Sequence, residues 1–196
     1  MVRGDCGMSG LEVAGALTGV VSVWLTTRQN IWCWPISLVN LAVYTLVFHG
    51  ARLYADMALQ VVYAALAGWG WYCWLHGGEG GAPLRVSKTP ARMHVVLFSA
   101  GLLGSIALGI GLARVTDDAV PYWDAATTIF SLVATYMQTR KWFENWLVWI
   151  AVDTSLVAKY AWSGLWPTAG LFTIFVGLAI LGLIEWRRSL AAECAS

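Results

Sequence analysis

Charged residues are scarce in this sequence. Lys, Arg, Asp and Glu make up 12% of the 196 residues, whereas hydrophobic residues make up 59%. An average soluble domain is about 25% charged. Several apolar runs also approach the ~20 residues that span a bilayer as a helix. The composition therefore predicts an all-α polytopic membrane protein and leaves no separate soluble domain.

Clusters of metal-ligating or basic residues are also lacking. The cysteines Cys6, Cys33, Cys73 and Cys194 show no C-x-x-C or His/Cys spacing, so neither a metal site nor a disulfide framework is predicted. The formal net charge is +1, with no long basic block, which argues against nucleic acid as a partner. We expect no metal and no cofactor.

Charged residues, Gly and Pro interrupt the apolar sequence. The runs between them predict seven transmembrane helices, at 9–27, 32–48, 53–75, 94–112, 122–139, 142–161 and 166–186. The first run has the length of a secretory signal, but Glu12 lies at its head and no A-x-A-like cleavage site follows it. We therefore expect a retained first helix. The longest polar connection, 76–92, is rich in Gly and Pro and predicts a flexible link between two halves.

The distribution of Lys and Arg indicates the orientation. With the N-terminus outside, the inner connections carry eight cationic residues: Arg28, Arg85, Lys88, Arg92, Arg140, Lys141, Arg187 and Arg188. The outer side carries four: Arg3, Arg52, Arg114 and Lys159. Cytoplasmic loops are the more positive ones. We therefore expect the N-terminus outside and the C-terminus in the cytoplasm.

The chain repeats itself with an offset of 112 residues. Without a gap over roughly sixty residues, this offset superposes Thr27-Arg28 on Thr139-Arg140, Trp34 on Trp146, Leu53 on Leu165, Leu59 on Leu171, Gly70 on Gly182 and Trp74 on Trp186. The register predicts three helices, one connecting helix and three helices again. The parts are a first bundle at 1–75, a linker and connecting helix at 76–113, and a second bundle at 114–196.

A connecting helix that crosses the membrane makes both triplets enter from the same side. The repeat is therefore parallel, with its axis along the membrane normal. A site between two equivalent bundles is exposed to either side when one bundle rocks on the other. The architecture thus predicts alternating access.

One face of the sixth predicted helix carries a stripe of aromatic residues around a carboxylate. Trp146, Trp149, Asp153 and Tyr160 are spaced i, i+3, i+7 and i+14, which places them on one side of a helix. An ionised Asp in a bilayer costs roughly 2.5–3.5 kcal/mol, so it should face a cavity or a partner. The stripe is the candidate site. Trp142, closer to the loop, is expected in an interfacial aromatic belt.

Both halves contain long and specific motifs. In the first half they are Arg28-Gln-Asn-Ile-Trp-Cys-Trp-Pro, Leu53-Tyr-Ala-Asp-Met-Ala-Leu-Gln60 and Gly70-Trp-Tyr-Cys-Trp74. In the second half they are Tyr122-Trp-Asp-Ala and Thr139-Arg-Lys-Trp-Phe-Glu-Asn-Trp-Leu-Val-Trp149, followed by Asp153. In these motifs the chain resembles the PnuC family of vitamin-precursor transporters. The final span lacks the tyrosines expected in the family, which leaves the cargo open.

The resemblance implies a fold like the SWEET sugar carriers with a full-length duplication. It implies facilitated diffusion of nicotinamide riboside across a bacterial inner membrane, with thiamine, riboflavin or deoxynucleosides as the alternative cargoes. It also implies a homo-oligomer, with a trimer as the family's form, and a cytoplasmic kinase that traps the cargo.

The same resemblance assigns substrate contacts in the sixth helix. Trp146 and Trp149 match the aromatic pair that packs on the cargo ring, and Asn145 belongs to the same motif. Asp153 is expected to be a counter-ion for a cationic ring or an acceptor for ribose hydroxyls. The alternative roles are an aromatic belt for the tryptophans and a structural hydrogen bond for Asp153.

Two further helices contribute polar candidates. Gln60 and Tyr63 share a face of the third helix, and Asn40 lies on the second. An amide both donates and accepts, as recognition of a carboxamide or pyrimidine edge requires. The alternative for Gln60 and Asn40 is a bond between helices, worth about 0.6 kcal/mol in membranes.

The residues of the two halves differ at the polar positions of the candidate site. At the offset of 112, Ser37 stands opposite Trp149, Leu41 opposite Asp153, and Phe172 opposite Gln60. We therefore expect an asymmetric ligand, bound on one side by the sixth helix and on the other by the third.

Other function classes have less support. An enzyme needs paired carboxylates, a Ser/His pair or clustered ligands within the spans, and the buried ionisable residues are essentially Asp153, Asp56 and Asp124. A proton-coupled porter remains an alternative, because Asp153 alone could carry a proton.

Overall fold

The chain is almost entirely helical. The computed structural model describes residues 10–50, 52, 54–117 and 119–193. Its α-helices are α1 Gly10–Thr27, α2 Cys33–Gly50, α3 Tyr54–His76, α4 Ala91–Val115, α5 Pro121–Thr139, α6 Asn145–Trp162 and α7 Trp166–Glu193. Each predicted span thus corresponds to one helix. Leu53, Cys6 and Cys194 lie outside the described residues, as does the side chain of Glu12.

Three of the described helices are long and apolar enough to cross a membrane by length and composition, namely Cys33–Gly50, Ala91–Val115 and Trp166–Ala192. Large apolar side chains also cover the outside of the bundle. Leu46, Val61 and Leu103 are each more than 60% exposed. Such a surface is suited to lipid rather than to water.

The turns after α1 and α5 have the same conformation. Each contains a non-glycine residue in the left-handed region, Gln29 with φ 54° and Lys141 with φ 50°. The amide of Asn30 donates to the carbonyl of Leu25 over 2.9 Å, and that of Trp142 to the carbonyl of Met137 over 3.2 Å. Because this turn occupies residues 140–144, α6 begins three residues later than predicted.

The helices pack in a closed sequence of neighbours. α1 packs on α2 and α7, α2 on α3, α3 on α5, α5 on α6, and α6 on α7. α4 packs chiefly on α5. The six helices other than α4 therefore form a ring, and α4 lies on its outside.

Four tryptophans fill the core at one end of this ring. Trp34 meets Trp74 edge-on with ring centroids 5.3 Å apart, and Trp146 meets Trp186 edge-on at 5.4 Å. Trp74 and Trp186 lie 5.9 Å apart. We call these four residues the tryptophan quartet. It lies where α1, α3 and α5 end and α2 and α6 begin, because Trp34 and Trp146 are in the first turns of α2 and α6 and Trp74 is in the last turn of α3. Helix α7 continues beyond Trp186 to Glu193.

The connection between α3 and α4 is docked, which corrects the prediction of a flexible link. The amide of Ser87 donates to the carbonyl of Lys141 over 3.0 Å, and the amide of Phe143 donates to the carbonyl of Ser87 over 3.1 Å. The Glu144 carboxylate accepts both the amide and the hydroxyl of Thr89. Val86 is buried in the core. Backbone pairing with the α5–α6 turn, which composition does not reveal, holds the linker in place.

Candidate functional site

All helices of the ring surround one cavity of about 380 Å³. This volume lies in the range of roughly 300–1,000 Å³ found for small-molecule sites. The tryptophan quartet contributes Trp34 and Trp146 to one end of the cavity. The remaining lining residues extend from there along α1, α2, α3, α6 and α7 toward the opposite end.

The cavity brings together most of the residues predicted for the site. Those that line it are Asn40, Gln60, Tyr63, Trp146, Trp149 and Asp153. They come from three different helices, α2, α3 and α6. The fold therefore gathers into one space the polar and aromatic residues that are far apart in the chain.

Two predicted residues do not line the cavity. Asn145 is fully buried, and its amide donates to the carbonyl of Trp142 over 2.6 Å. It therefore closes the turn that starts α6. Tyr160 lies about two helical turns beyond Asp153 and stacks on Phe172 at 5.3 Å. It thus supports a lining residue from behind.

Trp142 is not in an interfacial belt, contrary to the prediction. It is only 8% exposed and packs edge-on against Tyr136 at 6.0 Å. The turn before α6 directs it into the protein, whereas the prediction placed it at the start of the sixth helix, at the membrane interface.

Most lining residues form pairs separated by 112 positions. The pairs are Val23 with Thr135, Thr26 with Gln138, Trp34 with Trp146, Ser37 with Trp149, Leu41 with Asp153, Gln60 with Phe172, Tyr63 with Phe175, and Ala67 with Ala179. The sequence prediction missed Trp34, Thr135, Gln138 and Phe175 as lining residues. Trp34 and Phe175 could have been predicted, because they stand 112 positions from the predicted residues Trp146 and Tyr63.

Asn40 is used mainly to join helices. Its amide nitrogen donates to the carbonyl of Gly15 over 2.6 Å and to the hydroxyl of Thr18 over 2.9 Å. Ser22 and Ser37 likewise share a hydrogen bond of 2.6 Å. These contacts tie α1 to α2 and leave little donor capacity for a ligand.

Asp153 and Gln60 have their polar groups free. Asp153 is only 5% exposed, and among the described residues none donates a hydrogen bond to it or forms an ion pair with it. Gln60 likewise has no hydrogen-bond partner in the described part of the chain. Since buried polar groups are normally paired, both are available to a ligand.

Two indole N–H groups beside the cavity are unsatisfied as well. The Nε1 atoms of Trp34 and Trp146 are buried and have no acceptor within the described ranges. An unsatisfied buried donor costs about 1–3 kcal/mol. Trp74 and Trp186 differ, because their Nε1 atoms donate to the carbonyls of Gln138 and Thr26 over 3.0 and 3.1 Å.

The electrostatics of the cavity are simple. The described lining residues include one carboxylate, Asp153, and no Lys, Arg or His. The other lining groups are aromatic rings, aliphatic chains, hydroxyls and amides. The cavity therefore favours a planar ligand that is neutral or positively charged and disfavours an anion.

A family model described as "Nicotinamide mononucleotide transporter" matches residues 9–188. The chain belongs to this family. The resemblance to the PnuC family inferred from the motifs is thereby confirmed, as the relatives also show.

Three similar proteins illustrate the family. The nicotinamide riboside transporter PnuC of Escherichia coli is 25% identical over 211 residues, covering 95% of this chain and 88% of that protein. The riboflavin/roseoflavin transporter RibM of Streptomyces davaonensis is 26% identical over 183 residues, covering 89% and 83%. The PnuC of Neisseria mucosa is 22% identical over 194 residues, covering 92% of this chain and 73% of that protein.

A solved structure shares the fold. The crystal structure of the vitamin B3 transporter PnuC superposes with a TM-score of 0.75 at 20% identity, covering 94% of this chain and 83% of that one. These relatives are transporters, so the prediction of a membrane transporter rather than an enzyme is confirmed. Their bacterial origin and the apolar helices indicate a protein of the bacterial inner membrane.

Proposed function

We propose that this family member carries nicotinamide riboside across the membrane by facilitated diffusion. The observation that carries the proposal is the free carboxylate of Asp153 in a cavity lined by Trp146 and Trp149. The pyridinium ring of the riboside is flat and positively charged. Stacking on an indole contributes roughly 1–3 kcal/mol per ring, and a cationic ring adds a cation–π attraction.

The proposed contacts use the asymmetry between the two halves. Trp149 and Asp153 of α6 contact the ring on one side, whereas Gln60 of α3 reaches the carboxamide or ribose from the other. Their counterparts across the offset are Ser37, Leu41 and Phe172, which provide space and apolar surface. One orientation of an asymmetric ligand is thus favoured over the reverse.

The charge of the cavity selects the riboside over its mononucleotide. A phosphate would enter a space whose described lining holds a carboxylate and no cationic side chain. Desolvating a phosphate without a positive partner is strongly unfavourable. Although the family model is described by the mononucleotide, the residues here support the riboside, whose ribose carries no phosphate.

Riboflavin and thiamine are the alternative cargoes. The similarity to RibM favours a flavin, but a neutral flavin would leave Asp153 without a counter-ion. Thiamine carries a thiazolium cation and fits the carboxylate as well as the riboside does. The amide of Gln60 can pair with the carboxamide of the riboside or with the pyrimidine edge of thiamine, so a direct comparison of binding must separate these two cations.

Tryptophan fluorescence of the detergent-purified protein tests the cargo. Nicotinamide riboside, its mononucleotide, thiamine, riboflavin and a deoxynucleoside are titrated in turn. We expect saturable quenching by the riboside, weakened about five- to 100-fold in Trp149→Ala through loss of the stacked ring. Ser37→Ala, at the equivalent position of the other half, is the matched control and should change the affinity far less.

Uptake of radiolabelled riboside into proteoliposomes is the second readout. Quenching by another vitamin in place of the riboside would reassign the cargo. If none of these compounds quenched the fluorescence and none was taken up, the transport of these vitamins would be contradicted.

We also propose a duplicated architecture of three helices, one connector and three helices, as in a SWEET carrier with both halves on one chain. Three observations support this. The cavity lining consists mostly of residue pairs 112 positions apart, and each half contributes an edge-on tryptophan contact, Trp34 with Trp74 and Trp146 with Trp186. In addition, one indole of each half donates to a backbone carbonyl of the other half, and we call these two the crossed indole bonds. Each crossed bond joins one half to the other, from Trp74 to Gln138 and from Trp186 to Thr26. The first bundle covers 1–75, the linker and connecting helix 76–113, and the second bundle 114–196.

In this architecture all seven helices cross the bilayer, with the N-terminus outside and the tryptophan quartet at the cytoplasmic end. Rocking of the bundles about the quartet would give alternating access. Fusing green fluorescent protein or alkaline phosphatase to the C-terminus tests the orientation. Fluorescence with no phosphatase activity is expected, and the reverse would contradict it.

The partners follow from the same proposal. The cargo is a small vitamin precursor, and a cytoplasmic kinase traps it by phosphorylation. The protein forms a homotrimer, as the family resemblance implies. Light scattering on the purified protein measures the oligomer, and a monomer would contradict that part of the proposal.

A further inference from the structure

A free amide lies at the quartet end of the cavity, apart from the residues assigned to the cargo ring. Gln138 is half-buried, lines the cavity and is the last residue but one of α5. Its backbone carbonyl accepts a hydrogen bond from the indole of Trp74 over 3.0 Å. Its side-chain amide has no hydrogen-bond partner in the part of the chain that the structure describes. That amide is therefore available to a ligand both as a donor and as an acceptor.

The threonines at this end of the cavity bond to their own helices. Thr135 of α5 donates to the carbonyl of Ser131 over 2.8 Å, and Thr26 of α1 donates to the carbonyl of Ser22 over 2.9 Å. A hydroxyl that has donated its one hydrogen keeps lone pairs with which it can accept. Both threonines can therefore accept a hydrogen bond from a ligand, whereas donating one would break the bond to the helix.

The serines at this end are engaged in the same way. Ser22 donates to the carbonyl of Cys33 over 3.1 Å, so the hydrogen of its 2.6 Å bond with Ser37 comes from Ser37. The indole N–H groups of Trp34 and Trp146 are free, but their nitrogen atoms are buried and inaccessible from the cavity. The amide on α5 is thus the one accessible donor among the described polar side chains at the quartet end.

The cavity has a free amide near each end, with the site residues of α6 between them. Gln138 lies beside the tryptophan quartet. Gln60 comes fourteen residues before Trp74 of the quartet, which places it about 20 Å farther along α3. Trp149 and Asp153 lie roughly 6 and 12 Å into α6, which begins at the quartet. A ligand held by the α6 residues can therefore extend toward one amide at each end.

Nicotinamide riboside carries different polar groups on two sides of its flat ring. The carboxamide is attached to a ring carbon and the ribose to the ring nitrogen. A ribose offers several hydroxyl donors and oxygen acceptors, which matches the several acceptors and the single donor at the quartet end. A carboxamide needs one amide partner, and Gln60 supplies one at the far end. The two ends of the cavity are thus suited to the two ends of the riboside.

We propose that Gln138 makes the carrier specific for a ribosylated cargo by binding the ribose oxygens. The cargo then lies with its ribose toward the tryptophan quartet and its carboxamide toward Gln60. This inference rests on the proposed function, because it assigns the two ends of the cargo proposed there. A flat cation without a sugar leaves the Gln138 amide and the surrounding hydroxyl acceptors unpaired, so it binds more weakly.

Two ligands that differ only in the sugar test the native protein. Nicotinamide riboside and 1-methylnicotinamide share the cationic ring and the carboxamide, but the second has a methyl group in place of the ribose. Tryptophan-fluorescence titration of the detergent-purified full-length protein should give an affinity about ten- to 100-fold higher for the riboside. Equal affinities would overturn the proposal, and this comparison does not depend on a variant that folds.

Two matched variants then identify the group that recognises the sugar. Gln138→Met keeps the approximate shape of the side chain and the backbone carbonyl that Trp74 uses, and it removes the amide. We expect it to weaken binding of the riboside about two- to tenfold and to leave binding of 1-methylnicotinamide unchanged. Gln60→Met is the same substitution at the other free amide. It should weaken both ligands by the same factor, because both carry the carboxamide.

The other outcomes separate this inference from the proposed function. If Gln138→Met weakens both ligands equally, or neither, Gln138 does not recognise the sugar, and the inference fails while the proposed function stands. If Gln60→Met selectively weakens the riboside, the cargo lies in the reverse orientation and the inference is overturned. If the native protein binds neither ligand, the proposed function itself is refuted, and the inference with it.

Discussion

Glycine at two positions allows two large indoles to lie on a helix backbone. The Trp34 ring packs against Gly70 of α3, and the Trp146 ring packs against Gly182 of α7. A Cβ atom at either glycine would overlap ring atoms of the facing indole. The close approach positions both tryptophans at the end of the cavity, and the small residue is required by packing rather than by backbone conformation.

Gly70→Ala and Gly182→Ala should each destabilise the protein by about 1–3 kcal/mol, because the ring or the helix must shift in a well-packed core. Thermal unfolding of the detergent-purified protein measures the effect. Gly68→Ala and Gly177→Ala are the matched controls, since a Cβ there meets nothing within 4 Å. They should be neutral or slightly stabilising, because Ala favours helix. Equal effects at all four positions would contradict the packing explanation.

At the scale of the helices, the crossed indole bonds join the two halves at the quartet end. Trp186 of α7 donates to the end of α1, and Trp74 of α3 donates to the end of α5. Both α1–α7 and α3–α5 are contacts between different halves. Separating the halves at this end requires both bonds to break.

Trp186→Phe keeps most of the ring and removes the donor, so it should loosen the quartet end by about 0.5–1.5 kcal/mol. The thiol of Cys33 is fully buried there, and its maleimide labelling reports opening. In a background where the other cysteines are Ser, we expect labelling about two- to tenfold faster than in the parent. Trp162→Phe, at the exposed end of α6, is the control. An unchanged rate for Trp186→Phe would show that this bond does not restrain the opening.

At the scale of the whole molecule, the two halves hold each other through side-chain and backbone contacts and not merely through the connecting chain. The indole of Trp74 in the first half donates to the carbonyl of Gln138 in the second over 3.0 Å, and the indole of Trp186 in the second half donates to the carbonyl of Thr26 in the first over 3.1 Å. The exposed part of the linker is short, around Gly80, where φ is 65° and a side chain would meet nothing.

A protease site inserted at Gly80 should therefore be cut without separating the halves. After cleavage, gel filtration in mild detergent should show both fragments in one peak, and riboside binding should persist. Trp74→Phe, which removes the indole donor to the carbonyl of Gln138 in the other fragment, should weaken this association after cleavage. Glu144→Ala, whose partner Thr89 lies in the same fragment, is the control and should not. Separation of the fragments of the otherwise native chain would contradict the contacts between the halves.

Much of the fold followed from local pattern. Apolar runs and breakers predicted seven helices close to their observed bounds, since helix formation in lipid depends on length and composition. The stripe of Trp146, Trp149 and Asp153 was predicted from periodicity alone, because residues three, four and seven apart share a helical face. The resemblance of the motifs indicated the family.

Other features depended on tertiary contacts. Periodicity tells which residues share a face but not how the helix is rotated toward its neighbours or where its first turn begins. Tyr160 is therefore in the predicted stripe yet outside the cavity, where it stacks on Phe172. Asn145, a candidate from its motif, closes a turn instead. The docked linker depends on backbone pairing between distant segments, and the amino-acid composition of the linker does not reveal such pairing.

The sequence by itself determined the kind of protein, the helices and the chemical character of the site, because these depend on which residues occur and at what spacing. Only the tertiary structure decided which polar groups are already bonded and which are free. Asn40 is occupied by α1, whereas Asp153 faces the cavity alone. That difference depends on what the neighbouring helices present across a few ångströms, which one-dimensional spacing cannot encode.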